Sequence, residues 1–182
     1  VQLTLQKYFT AGTFMFFGTP VAFYVIAWVA AEELLKFAGS YFGLKNKAFD
    51  EPVDAMIYLI TTALGFVAVE NTLYALQTIT NGGVVDGFAG GVSRFLGPSI
   101  LHIVTSGILG LSISLSFYIH GYTKKMYVIV GLFTAITLHS FYNFFIIVNT
   151  PKLTTIAFGL VWILALALVV LFEIVKRIKK QP

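Results

Sequence analysis

Charge is scarce in this sequence and cysteine is absent. Only 11% of its 182 residues are Asp, Glu, Lys or Arg, where soluble domains carry about 25%. Hydrophobic residues make up 58% and the mean hydropathy is +0.87, so a water-soluble fold is excluded. The lack of Cys removes disulfides, thiol chemistry and cysteine-ligated metal. There is no internal repeat, no low-complexity tail and no stretch polar enough for a soluble domain. What remains is one compact, membrane-embedded helical domain over residues 1–182. A net charge of +4 matters in such a chain through its distribution across loops, and no nucleic-acid partner is expected.

Five apolar stretches reach the roughly 20 residues a spanning helix needs: 14–38, 55–78, 98–120, 126–148 and 153–175. The fold class expected is therefore an all-α polytopic transmembrane bundle of about five spans. Pro20 starts or kinks the first helix. In the connector "LKNKAFDEPVD", Asp50 is the expected N-cap and Pro52 lies in the first turn. "TNGGVVDGFAGGVSRFLGP" is rich in Gly and reads as loop, ended by Pro98 at the next helix start. "HGYTKK" and "NTPK" read as tight turns.

Five spans sort the connectors onto two sides. One receives Lys36, Lys45, Lys47, Lys124, Lys125, Lys176, Arg177, Lys179 and Lys180, the other Lys7, Arg94 and Lys152. Nine basic residues against three make the first side cytoplasmic, with the C-terminus inside and the N-terminus outside. The chain opens on Val and shows no signal peptide, so an upstream segment, which can include a further span, is expected.

An ionisable group in lipid costs at least about 2.5–3.5 kcal/mol. Glu32, Glu33, Glu70, His102 and His139 lie well inside the spans, with Asn71, Asn143, Thr105 and Ser106 as neutral polar company. His139 and Asn143 are four residues apart and share a helix face, as do His102 and Ser106. At about 1.5 Å rise per residue, Asn143 and His102 lie roughly 6–8 Å below the outer ends of the spans. Glu70 and His139 lie about 12–14 Å down and Glu32 about 18 Å. Four helices thus carry carboxylates and imidazoles to neighbouring levels.

Each member has a plainer explanation. Glu32 and Lys36 have the favourable i,i+4 order for a helix ion pair, although this leaves Glu33, about 100° around the wheel, unexplained. A lone intramembrane His, or Asn71 or Asn143, ordinarily hydrogen-bonds a neighbouring helix. His120 beside Gly121 is interfacial, and the many Phe residues are lipid-facing packing. Only the set as a whole points to chemistry. A carboxylate in an apolar pocket suits general acid or base work. Imidazoles bind zinc or share a water's proton, and Asn with His can hold an oxyanion. The HExxH spacing of zincins is absent.

Five pieces in order, "EELLK" at 32–36, "FDEPVDAMIY" at 49–58, "GFVAVENTLYAL" at 65–76, "SRFLGPSILH" at 93–102 and "LHSFYN" at 138–143, resemble the PrsW family of intramembrane proteases. That family is itself a distant relative of the CAAX prenyl protease and bacteriocin-processing group. The resemblance covers most of residues 28 to 145. It implies a peptidase embedded in the cell membrane that cuts a membrane-anchored protein near its extracytoplasmic side, as in the initiating cut of an anti-sigma factor. Carried over, Glu32 and Glu33 supply the general base, and Glu70, His102 and His139 complete the site. His139 and Asn143 would bind the scissile carbonyl. In a metal version, His102, His139 and Glu70 would hold zinc. Without a close-spaced ligand pair, two-carboxylate chemistry free of metal is slightly favoured. Family members usually carry more helices before this point, and some have Asp at the position of Asn143. Two other readings fit the same residues: a proton- or cation-coupled transporter, in which they form a relay, and a non-catalytic member that only captures a membrane partner. The cytoplasmic halves of spans two to four are poor in ionisable groups, which speaks against the transporter.

Overall fold

The computed structural model describes residues 15–16, 19–148 and 150–179. A two-residue antiparallel pair, β1 (Met15–Phe16) with β2 (Thr19–Pro20), precedes the helices. The other elements are all helical: α1 (Val21–Leu44), α2 (Asp54–Gly82), α3 (Val84–Arg94), a π-helical turn (Phe95–Ser99), α4 (Ile100–Leu115), α5 (Tyr122–Val148) and α6 (Pro151–Val175).

Four stretches are long and apolar enough to cross a membrane: Asp54–Gly82, Val84–Leu115, Tyr122–Val148 and Pro151–Val175. α1 has the length of a fifth span, about 36 Å for its 24 residues. Its charges point inward, while Phe23, Ile26, Trp28, Leu34 and Leu35 form its exposed face. The chain is thus a multi-pass membrane protein.

α4 occupies the centre. Of its span 61% of the apolar stretch is buried, against 17–22% for the other three. α2 and α5 flank it and α6 packs behind. α1 closes the front, lying against α2 and α5 and barely meeting the backbone of α4. The gap between α1 and α4 is bridged by polar side chains. Close approach of α2 to α4 requires Gly110, since a Cβ there would lie 2.7 Å from Met56 Cα. Small residues at helix contacts are the usual means of packing in lipid.

Three expected boundaries differ. The first helix runs from Val21 to Leu44, not 14–38, with Pro20 just before its start. Asp50 does not cap α2: Asp54 Oδ2 accepts from the backbone N–H of Asp50 (3.2 Å) and Glu51 (2.9 Å). The helix then starts past Pro52, at Asp54. The largest difference is the Gly-rich stretch read as loop, which is helical from Val84 through Ser99. Gly83, at φ +90°, makes the only break. Pro98 lies inside the π-turn, so it ends nothing. Having no N–H it cannot make an ordinary helix bond, and the wider π winding absorbs that loss. Ile100 N–H turns to Gly97, and the Leu96 carbonyl accepts instead from Trp162 Nε1 of α6 at 3.1 Å. The two tight turns are as expected. Gly121 takes a positive φ of 71°, and Thr150 caps α6 ahead of Pro151.

Candidate functional site

Midway along α1, three charged side chains face α4. At i,i+3 and i,i+4 spacing a lysine can reach either preceding acid, and the tertiary environment decides which. Lys36 Nζ donates to Glu33 Oε1 at 2.6 Å, not to Glu32 as the i,i+4 order led one to expect. Lys36 is only 1% exposed; its other partners are on α4, His102 Nδ1 at 3.2 Å and Thr105 Oγ1 at 3.3 Å. Glu33 Oε1 also accepts from Thr105 Oγ1 at 3.1 Å and lies 2.6 Å from His139 Nδ1 of α5. One carboxylate oxygen therefore ties α1 to α4 and α5.

The second half of the site is built on α2. His102 Nε2 lies 3.0 Å from Glu70 Oε2, and Arg94 Nη2 lies 2.7 Å from Glu70 Oε1. Both are close but bent contacts rather than aligned hydrogen bonds, and the Arg94 one is an ion pair. Arg94 Nε donates to Asn71 Oδ1 at 3.0 Å, and Asn71 Nδ2 donates to Ser99 Oγ at 2.9 Å. Arg94 also stacks over Tyr74 at 4.6 Å. The imidazoles of His102 and His139 meet edge to face, their centroids 4.8 Å apart.

These contacts fix which nitrogen of each imidazole is free. The Lys36 ammonium can only donate, so His102 Nδ1 is an acceptor and Nε2 carries the proton toward Glu70. Glu33 accepts from His139 Nδ1–H, which leaves the lone pair on Nε2. That lone pair faces Glu32 Oε2 at 3.5 Å. Two acceptors at that distance call for a proton or a cation between them. The charges agree. Glu32, Glu33 and Glu70 are set against Lys36 and Arg94 alone, and Glu32 is the carboxylate with no cation of its own.

Glu32, His102 and His139 each offer a ligand atom within 4.8 Å of the other two, and all three are buried. Two imidazoles with one carboxylate suit zinc, and each imidazole is held from behind by a second carboxylate, as metal-binding histidines usually are. The residues therefore fit a divalent ion. The carboxylate in this triplet is Glu32. Glu70, which the expected metal set contained, stands behind His102.

Of the residues picked out in the sequence, the structure brings together Glu32, Glu33, Glu70, His102 and His139. Asn143, one turn beyond His139, is half-buried and no hydrogen bond joins it to the cluster. Ser106, on the His102 face, is buried with its hydroxyl unpartnered among the described residues. One participant, Arg94, was missed, since it reads as a loop charge. Lys36 was expected as a partner of Glu32 and also among the cytoplasmic charges, yet both cations are buried in the network. The signal for Arg94 was its place in "SRFLGPSILH", eight residues before His102, once that stretch is allowed to be helical.

The chain is similar to a protein called Protease PrsW from Halalkalibacterium halodurans, at 28% identity over 148 residues, which is 78% of this chain and 61% of the relative. A Protease PrsW from Shouchella clausii is 27% identical over 70% of this chain and 56% of its own length. The chain thus spans about six tenths of these relatives. No solved structure gives a significant match. A family model described as "PrsW family intramembrane metalloprotease" matches residues 1–172, and the chain belongs to that family.

Proposed function

We propose that the chain is the catalytic part of a membrane-embedded endopeptidase, with its reactive centre at Glu32, His102 and His139. The observation that carries this reading is the convergence of these three groups from α1, α4 and α5 on one buried point, with a separate carboxylate behind each imidazole. Family membership supports the reaction class. The expected tilt toward metal-free chemistry loses its ground. It rested on the missing HExxH spacing, and ligands drawn from three helices need no close spacing.

The residues divide the work by position. Glu33 holds the Nδ1 proton of His139, so the lone pair on its Nε2 faces Glu32, while Glu70 lies at the Nε2 proton of His102, whose Nδ1 accepts from Lys36. A water between Glu32 and His139 is held by His139 Nε2 and gives a proton to Glu32 as its oxygen attacks the carbonyl carbon. The Lys36 ammonium, bonded to Glu33, His102 and Thr105, contributes its positive charge beside the centre as negative charge develops on the carbonyl oxygen. Glu32 then returns the proton to the departing amine nitrogen as the C–N bond breaks. Zinc, when bound, would be held by Glu32, His102 and His139, and would supply Lewis-acid polarisation and a more acidic water. Asn143 is proposed, with His139, as a contact for the scissile carbonyl.

The substrate class is a membrane-anchored protein. Glu70 lies about 18 Å from the α2 end at Gly82, and His139 about 14 Å from the α5 end at Val148. In a hydrocarbon layer of roughly 30 Å both levels are near the middle, so the cut requires local unwinding of a substrate helix. Without the buried Lys36 and Arg94, the loop charges still divide eight against two, which supports a cytoplasmic C-terminus. The test is cleavage of a membrane-tethered reporter by purified protein in vesicles. Wild type is expected to cut it and to carry zinc. His102→Ala is expected to remain folded, lose the zinc and cut nothing. Full cleavage by that variant would overturn the assignment.

A further inference from the structure

We propose that Arg94 is a positioning residue for His102, acting through Glu70, and that the π-helical turn Phe95–Ser99 is the device that puts it there. In an unbroken α-helix the eight residues from Arg94 to His102 would set the two side chains about 80° apart. Five residues wound at the wider π pitch, roughly 4.4 per turn, remove about 90° of rotation and return both to one face. Both then reach the same carboxylate on α2: Arg94 Nη2 is 2.7 Å from Glu70 Oε1 and His102 Nε2 is 3.0 Å from Glu70 Oε2.

The carboxylate needs this help. Glu70 is 30% exposed along its side chain, and no other cation makes an ion pair with it among the described residues. Without a fixed partner it could rotate out of the cluster and leave His102 Nε2–H unmet. Arg94 itself is clamped. Its Nε donates to Asn71 Oδ1, Asn71 is held by Ser99 Oγ inside the π-turn, and its guanidinium lies over Tyr74. A guanidinium can reach Glu70 and Asn71 together because its donors are spread over a rigid plane. An ammonium is a single point. The role is therefore more specific than neutralising a charge in lipid, and Arg94→Lys separates the two.

The turn is itself packed in place. A Cβ on Gly97 would collide with Tyr142 of α5 and Phe158 of α6, and Trp162 holds the Leu96 carbonyl. The orientation of His102 thus depends on α2, α5 and α6 together.

The catalytic consequence rests on the peptidase reading, but the positioning does not, and it is read without a substrate. The chain has three histidines, so ring-¹⁵N-labelled histidine gives a countable spectrum, with His102 identified by its loss in His102→Gln. Wild type, Arg94→Lys and Arg94→Gln are compared, with His120 at the exposed turn as an internal control. The expected result is that both variants shift the Nε2–H signal of His102, which faces Glu70 at 3.0 Å, while His120 is unchanged. Reporter turnover should fall about 10- to 100-fold, the usual range for a group behind a ligand, with KM little altered. A wild-type His102 signal in both variants overturns the inference, whatever the turnover. If Arg94→Gln fails to fold, Arg94→Lys decides, since it keeps the charge. A shifted signal with unchanged turnover upholds the positioning and counts against a role for His102 in the cleavage. A shifted signal with no turnover even in wild type upholds the positioning and counts against the peptidase reading.

Discussion

The two histidines are held by similar sets of groups in unlike surroundings. His139 leans on Glu33, which is neutralised by Lys36, and side-chain exposure in this half is 1–2% throughout. His102 leans on Glu70, which is neutralised by Arg94, and here the carboxylate is 30% exposed. Identical logic, a carboxylate behind the imidazole and a cation behind the carboxylate, is thus sealed on the α1–α5 side and open on the α2 side. The difference teaches where the cluster can admit water and substrate. A buried ion pair tolerates no loss of one partner, whereas a pair partly open to other polar groups can be re-paired.

The sharpest way to break the comparison is to remove one cation from each half. Lys36→Met leaves Glu33 buried without its partner, and we expect a stability loss of about 3–5 kcal/mol in thermal or denaturant unfolding in detergent. Arg94→Gln should cost less, about 1–2 kcal/mol, because Glu70 keeps access to other partners. Equal losses would remove the distinction. Thr105→Val keeps the shape but takes one donor from Glu33 Oε1, for about 1 kcal/mol, with cleavage reduced in step. The smallest effect belongs to Trp162→Phe on the open side. It frees the Leu96 carbonyl at about 0.5–1 kcal/mol, and the His102 signal should broaden while that of His139 stays put.

Much of this arrangement was legible in the residues, and the failures have physical causes. Charges in an apolar run must face inward or pair, so Glu32, Glu33, Glu70, His102 and His139 stood out without any structure. Depth along each helix placed them at neighbouring levels, and the structure joins them. Lys36 went to the wrong acid because helical spacing allows both, and Thr105 and His139 on other helices settle the choice. Arg94 was misplaced because Gly83 through Gly97 and Pro98 look like breakers. Among packed helices Gly87, Gly90 and Gly97 serve close approach, and the proline is accommodated by π winding. That Glu32 and not Glu70 lies closest to both imidazoles could not be read beforehand, because rotation about a helix axis is set by neighbours, which a helical wheel does not contain. The missing HExxH spacing does not bear on metal binding for a similar reason, since three helices can supply ligands that are far apart in the chain.

The central claim is that Glu32 belongs to the reacting centre while Glu33 is an anchor. Reporter cleavage by Glu32→Gln, measured beside its unfolding curve, tests it most directly. The account predicts a variant as stable as wild type that cuts nothing; a folded Glu32→Gln protein that cleaves at the wild-type rate would contradict it.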